Sequence, residues 1–404
     1  MGFFNKMFGR NGETDDSAAE VSGADFVTAL QMHLRGELDP ALAAYESFAE
    51  DSPHDNLAPF FASALKAAKG NLAEATEDLR SLSRRVSSDG ATISRAVAQD
   101  LVALLEEEPL IKEPDVAEIV ISFGDRLKAQ GLLQESAVCF EIAAGILPDH
   151  ASVLHKLGDT LHDLRIYEYA EAVLQEALRH APNHWDSLYT YAVLLQDLGR
   201  FDEAITHYEK AVRLNPDHVK CRNNYGAALM MAGRLEDALA QCTVAAELDP
   251  GFPLAKINLG NINLLMGNHQ EARRCFREAT SLDGSLALAH FGLGSAELSG
   301  GDTQRARESF LKAIELNPEF PDFHHAMGKL LARDGNPEAF SYFAAAVELN
   351  GSLRDLRKDF GLACLQMGRR EEGLEHLRIA LEQNPEDAEV RGILSSADDE
   401  GRDQ

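Results

Sequence analysis

Basic residues are scarce in this chain of 404 residues: 38 Lys and Arg stand against 66 Asp and Glu, a formal net charge of −28. A phosphate backbone or an anionic lipid surface needs a basic face, so nucleic-acid binding and broad docking on anionic lipid are disfavoured. Long apolar runs are missing as well. The longest stretch without Asp, Glu, Lys or Arg, Ile257 to Gln270, has 14 residues, and a membrane span needs about 20 apolar ones. No apolar run of the kind found in secretory signals follows Met1–Arg10. The five cysteines (Cys139, Cys221, Cys242, Cys275, Cys364) form no CxxC pair and are widely spaced. Free thiols in a reducing compartment are expected, and with them a cytoplasmic location.

Signatures of catalysis are also absent. There is no GxxxxGK[ST], HExxH, GxSxG or GxGxxG. Gly292-Leu293-Gly294 is a fragment of the last, but Glu297 stands where the third glycine belongs. One cluster has the residue types of a zinc site: His155, Asp159 and His162 at i, i+4 and i+7, with His180 and His184 nearby. Three ligands on one short helix commonly lack the supporting shell that a metal needs, so they read as solvated groove or edge residues. No metal, no cofactor and no enzymatic activity are expected.

What is present is a period. Gly124, Gly158, Gly226, Gly260, Gly294 and Gly328 are spaced by multiples of 34, with Ala192 in the vacant slot and Gly361 following after 33. A second column reads Ala143, Ala177, Ala211, Ala245, Ala279, Ala313, Ala346 and Ala380. A third runs Ser136, Ala170, Ala204, Ala238, Ala272, Ala306, Ala339, Gly373, and Pro148, Pro182, Pro216, Pro250, Pro318 and Pro385 form a fourth. Each unit reads as two antiparallel helices. Small residues sit where the helix axes approach most closely, because nothing larger fits. Gly131, Gly199, Gly233, Gly267, Gly301, Gly335 and Gly368 fall where the first helix needs a left-handed C-cap. The proline ends the second helix.

A 34-residue helix–turn–helix unit with these residues resembles the tetratricopeptide repeat. Tyr191/Ala192, Tyr208, Ala211 and Pro216 match its pattern, as do Leu157/Gly158, Ala170, Ala177 and Pro182. The resemblance implies an all-α fold, a right-handed α-solenoid. Eight repeats fit at 117–150, 151–184, 185–218, 219–252, 253–286, 287–320, 321–353 and 354–387. The seventh is one residue short, and Pro337 is expected to start its second helix. Two weaker repeats fit at 22–55 and 56–89. The rest is an N-terminal segment 1–21, a linker 90–116 and a C-terminal part 388–404. The linker reads as a helix, Thr92–Glu107, then an extended stretch between Pro109 and Pro114. Residues 388–394 read as a short capping helix and 395–404 as an acidic tail.

Asparagine is the sharper signal. Asn223, Asn224, Asn258, Asn261 and Asn263 fall inside the first helices of two adjacent repeats. Each costs a helix interior roughly 0.5 kcal/mol relative to alanine, and such local violations tend to mark function. Asn224 and Asn258 are 34 apart and share a slot that, by the resemblance, faces the concave groove. A side-chain amide donates and accepts, so a ladder of them can hold an extended peptide backbone. The competing reading is that the amides bond between helices and stabilise the stack. Met230, Met231, Ile257, Leu264, Leu265, Leu288 and Phe291 surround them, and part of that set must be core. The expected partner-binding groove is therefore Asn223, Asn224, Asn258, Asn261, Met230, Ile257 and Phe291. The Lys, Asn and Arg pattern with which chaperone-tail-binding members grip a C-terminal carboxylate is absent.

Charge is distributed unevenly around that groove. Residues 117–218 carry 8 basic and 16 acidic residues, and residues 219–300 carry 7 and 8. The function expected is a scaffold or adaptor holding a peptide or helix of a protein partner, and the acidic flanks would suit a basic segment of that partner. Two alternatives stay open. One is a substrate-recruiting module similar to the arrays of O-linked N-acetylglucosamine transferases, as in Asn258-Leu259-Gly260-Asn261, without the catalytic domain. The other is a self-assembling scaffold of the magnetosome-associated kind. Phe3, Phe4, Met7 and Phe8, with Lys6 and Arg10, form a short amphipathic stretch that could touch a membrane weakly or a partner. Lys6 stands where myristoylation at Gly2 would want Ser or Thr.

Overall fold

The computed structural model describes residues 38–51 and 113–402, together with residues 32, 61–63, 65–66, 74 and 78. The expectations for 1–21, for 90–112 and for most of the two weaker repeats lie outside these residues. The chain divides into two compact units, Met1–Pro216 and Asp217–Gln404. Among the described residues every regular element is a helix. Consecutive helices pack in pairs as repeats, which makes the protein an all-α solenoid.

In the first unit α1 spans Leu38–Asp51. The pairs that follow are α2 (Glu113–Ala129) with α3 (Leu133–Ile146), α4 (Ala151–Asp163) with α5 (Tyr167–His180), and α6 (Trp185–Asp197) with α7 (Phe201–Leu214). In the second unit the pairs are α8 (Val219–Met231) with α9 (Leu235–Leu248) and α10 (Pro253–Leu265) with α11 (His269–Leu282). Then come α12 (Ala287–Ser299) with α13 (Thr303–Leu316), α14 (Pro321–Arg333) with α15 (Ala339–Asn350), and α16 (Leu356–Gln366) with α17 (Arg370–Gln383). Helix α18 (Ala388–Arg402) ends the series.

The glycine column is where the two helices of a pair touch. A Cβ built on Gly158 would lie 2.6 Å from Leu174, and one on Gly260 would lie 2.7 Å from Phe276. Each glycine thus lets a large side chain of the second helix press on the backbone of the first. The opposing Phe140, Tyr208, Phe276, Phe310 and Phe343 are all fully buried. The seven glycines at the ends of the first helices have φ between +66° and +84°, as a left-handed C-cap requires. Arg165 fills that slot after α4 and adopts φ 60°. It accepts the strain for which its seven counterparts use glycine.

Three boundaries differ from expectation. Helix α2 starts at Glu113, so Pro114 opens a helix instead of an extended stretch. Proline is tolerated in a first turn because the N–H it lacks has no partner there. Helix α15 starts at Ala339. Pro337 lies in the preceding turn, where Asn336 Oδ1 accepts from the Glu338 amide at 2.9 Å. Helix α18 runs on to Arg402, so most of the acidic tail is helical. Val390 and Leu394 anchor it against Leu377 of α17, and residues 395–400 contain no Gly or Pro to stop it.

First helices of neighbouring pairs touch one another: α4 with α6 in the first unit, and α8 with α10, α10 with α12, and α14 with α16 in the second. Second helices instead wedge against the next first helix, as α9 does on α10 and α11 on α12. The first helices are therefore the crowded, inner side of each array.

Candidate functional site

Helix periodicity puts residues i, i+4, i+7 and i+11 on one face. On α10 that face is Leu254, Asn258, Asn261 and Leu265. The matching face of α8 is Lys220, Asn224, Ala227 and Met231, and that of α12 is Leu288, Gly292, Ser295 and Ser299. Read across the three helices, amides and small residues occupy the middle, with Gly292 buried against Phe276, and leucine or methionine stands at four of the six flanking positions, Lys220 and Ser299 at the other two. Leu254, Leu265, Leu288 and Met231 are 43%, 63%, 51% and 60% exposed. Lys220 carries the single charge on these three faces.

The asparagines are joined across helices. Asn258 Nδ2 donates to Asn223 Oδ1 at 2.9 Å, and Asn223 Nδ2 donates to Asn224 Oδ1 at 3.3 Å. Asn223 is buried, so this chain of amides ties α8 to α10. Asn261 is half-buried and one turn beyond Asn258, and its side chain makes no hydrogen bond among the described residues. The two readings of the cluster thus divide it: Asn223 and Asn258 bridge the helices, whereas Asn261 stays open.

Asn263 belongs to neither role. It is buried, donates to Leu259 O at 2.8 Å and accepts from Asn268 Nδ2 at 3.3 Å, closing the end of α10. Among the apolar residues expected in the groove, Ile257 is in the core with Phe276, Ala279 and Ala289. Phe291 packs half-buried against Phe310 and Phe323, with ring centroids 5.6 and 5.0 Å away. Met230 is half-buried, and Met231 takes the open position. A one-residue step rotates a side chain by about 100° around the axis, which exchanges Met230 for Met231. Leu254 is the flanking residue that the sequence reading passed over. Its signal is the 34-residue spacing to Leu288, which repeats the spacing of Met231 to Leu265.

In the first unit the inner face is charged. Lys128 Nζ reaches Asp159 at 2.5 Å and Asp163 at 2.8 Å, and Lys156 Nζ reaches Asp125 at 2.6 Å. His162 Nε2 lies 2.8 Å from Asp197, and His155 Nε2 lies 3.1 Å from Thr190 Oγ1. His155 and His162 therefore engage α6, whereas Asp159 engages α2 on the other side. Among the described residues no group of three or more His, Cys, Asp or Glu could hold a metal ion. Burial pushes the pKa of His155 down, partly offset by Asp159 and Asp186. Asp125, Lys128, Phe140, Ser152, His155, Lys156, Asp159, His184 and Asp186 border a cavity of about 260 Å³. All five cysteines are buried and free, and burial pushes the thiols of Cys221 and Cys242 up to about 12. Such thiols are poor nucleophiles. Among the described residues no helix is long and apolar enough to cross a membrane.

Comparison with known proteins agrees with this architecture. A family model described as tetratricopeptide repeat matches residues 189–253, 258–322 and 295–352. A tetratricopeptide repeat protein from Parabacteroides merdae is 18% identical, with 61% of this chain and 98% of that one covered and a TM-score of 0.52. YrrB, described as a TPR protein with an unusual peptide-binding site, is 26% identical over 46% of this chain and 96% of its own, with a TM-score of 0.37. Pseudomonas aeruginosa pilF is 20% identical over 52% and 95%, with a TM-score of 0.45. No protein of curated function matches the chain.

Proposed function

The chain is a tetratricopeptide repeat protein, and we propose that it serves as a non-catalytic scaffold or adaptor. Its open face on α8, α10 and α12 holds an extended segment of a partner protein. The observation that carries this reading is the charge-poor face on which a row of amides runs between two apolar rims. The Asn261 side chain and the side-chain Oδ1 of Asn258 offer hydrogen-bonding capacity to a peptide backbone. The rims fit the same occupant. Leu254 and Leu265 are eleven residues apart, about 16 Å along the axis, so each rim lies about 8 Å from the centre. Alternate side chains of an extended strand point to opposite sides and would reach one rim and then the other. Neighbouring helix axes stand roughly 8–10 Å apart, which is about three residues of extended chain per repeat.

The inner face of the first unit has a different chemistry. Asp159, Asp163, Asp186 and Asp197 outnumber Lys128 and Lys156 there, which suits a basic segment of a partner. The unreactive, buried thiols fit a reducing, cytoplasmic setting.

The test is site-specific photo-crosslinking on the full chain. A benzophenone side chain at Leu265 should trap a partner peptide selected from a random 12-residue library. The same group at Leu248, exposed on second helix α9, should not. Equal trapping at both positions would refute the assignment of the face.

A further inference from the structure

The neutral face on α8, α10 and α12 is bounded by two cations that no acid answers. Lys220 opens one rim, followed at 34-residue steps by Leu254 and Leu288. On the other rim the same step carries Met231, Leu265 and Ser299 on to Arg333 of α14. Helix α14 continues the array, since Phe291 of α12 packs on Phe323 with ring centroids 5.0 Å apart. Lys220 and Arg333 are both exposed, and neither forms an ion pair among the described residues.

Neither is unpaired for want of acid. Asp and Glu outnumber Lys and Arg by 66 to 38 in this chain, and other cations of the second unit are taken up. Lys256 lies 2.8 Å from Glu278, Arg307 3.2 Å from Glu338 and Lys358 2.9 Å from Asp387. Lys329, one turn before Arg333 on the same face, is held by Asp359 at 2.9 Å. Asp334 follows Arg333 directly and does not pair with it. Asp322 stands at the far end of α14, eleven residues and about 16 Å away. Two exposed cations that stay clear of acids on an acid-rich chain are free to meet an anion from outside.

Resting on the reading that this face holds an extended segment, we propose that the segment carries two acidic side chains about nine residues apart. One meets Lys220, the other meets Arg333, and the residues between them are uncharged. The spacing follows from the array. Helices α8 and α14 are three repeats apart, and an extended chain covers about three residues per repeat. Side chains an odd number of residues apart point to opposite sides of a strand, and Lys220 and Arg333 lie on opposite rims. Between them the segment crosses amides, small residues and apolar side chains, where a charge would lose water and find no partner. The two end charges also set the register, since a slip of one residue turns both carboxylates to the wrong rim. This chemistry is opposite to the basic segment that suits the first unit.

The test is selection of a random 12-residue library on the full-length protein. Both peptide ends are chemically blocked, so that any carboxylate belongs to a side chain. Selected peptides should be enriched in Asp or Glu at that spacing, and the Leu265 benzophenone should trap them. Replacing either acid by Lys should weaken binding about fivefold, the swing of one exposed ion pair from attraction to repulsion. Lys220→Glu should restore the affinity of one such peptide and Arg333→Glu that of the other. Both positions are exposed, so the fold tolerates the changes. If trapped peptides show no preference for acids, or neither reversal restores affinity, the inference is overturned and the proposed function stands. If no selected peptide is trapped at Leu265 in preference to Leu248, the proposed function fails and the inference fails with it.

Discussion

Gly260→Ala puts the packing argument at its most exposed point. Gly260 lies inside α10, where alanine is favoured over glycine by roughly 1 kcal/mol on helix propensity alone. The structure opposes that gain. The new Cβ would sit 2.7 Å from Cζ and 2.8 Å from Cε1 and Cε2 of Phe276, where carbon atoms prefer about 3.5–4.0 Å. The ring cannot withdraw. It is fully buried, and the backbone of Gly292 blocks its other side, since a Cβ there would lie 2.2 Å from Phe276 Cε1. Relief requires α10, α11 and α12 to separate. Overpacking of this kind costs about 1–3 kcal/mol, and a ring clamped from two sides belongs at the upper end. The net expectation is a loss of about 2 kcal/mol, once the propensity gain is subtracted. Urea unfolding followed by circular dichroism measures it as a lower midpoint. Gly145→Ala is the control, because Gly145 lies exposed near the end of α3 with nothing within 4 Å of its Cβ; it should be neutral or stabilising by up to about 1 kcal/mol. Adding Phe276→Leu to Gly260→Ala should recover part of the loss. If Gly260→Ala unfolds at the same urea concentration as wild type or a higher one, the close approach does not set the packing.

Four further outcomes are expected. Arg165→Gly should stabilise the first unit by about 1 kcal/mol in the same assay, because it relieves a left-handed conformation without removing a helical residue. Asn258→Ala should cost about 1–3 kcal/mol, since it takes the Asn258 donor from buried Asn223. Asn261→Ala should leave stability unchanged within about 0.5 kcal/mol and weaken peptide binding, a split that calorimetry and titration together resolve. Glu141 gives a pH dependence. It is buried with neither carboxylate oxygen hydrogen-bonded, and burial holds its pKa well above the usual carboxylate range. The folded protein keeps a proton that the unfolded chain releases near pH 4.3. Stability on this account is fully present below about pH 4.3 and falls as pH rises through the raised value. Glu141→Gln should therefore melt higher than wild type at pH 7.5 and at an unchanged temperature near pH 4.

The fold was legible because its constraints are written in small residues. Gly158 and Gly260 mark helix contacts, and Gly199 and Gly267 mark left-handed caps, each at a spacing that chance does not repeat. The candidate face was legible in kind but not in phase. Met230 and Met231, or Leu264 and Leu265, are apolar neighbours, and such a pair does not say which member is buried. The same ambiguity put Ile257 in the expected groove and left Leu254 out of it. Asn261 and Asn263 are two apart, so they point about 200° from one another around the helix. One opens to the inner face and the other closes the helix end. The hydrogen bond from Asn258 to Asn223 joins residues 35 apart, and only the stacking of one repeat on the next brings them together. His184, which caps α6 through Nδ1, is outside the usual N-cap set, and its sequence signal is the 34-residue spacing to His218, which caps α8 in the same way.

The most direct test of the central claim is a comparison of two charge insertions against one peptide. Met231→Glu with Leu265→Glu alters the apolar rim of the inner face. Leu248→Glu with Leu282→Glu places the same charges at exposed positions on second helices α9 and α11. With a fluorescent peptide selected for binding to the wild-type chain, the inner pair should weaken affinity at least about tenfold, the effect of about 1.4 kcal/mol. The outer pair should leave it unchanged. Equal loss from both pairs, or loss from the outer pair alone, would contradict a partner held along α8, α10 and α12.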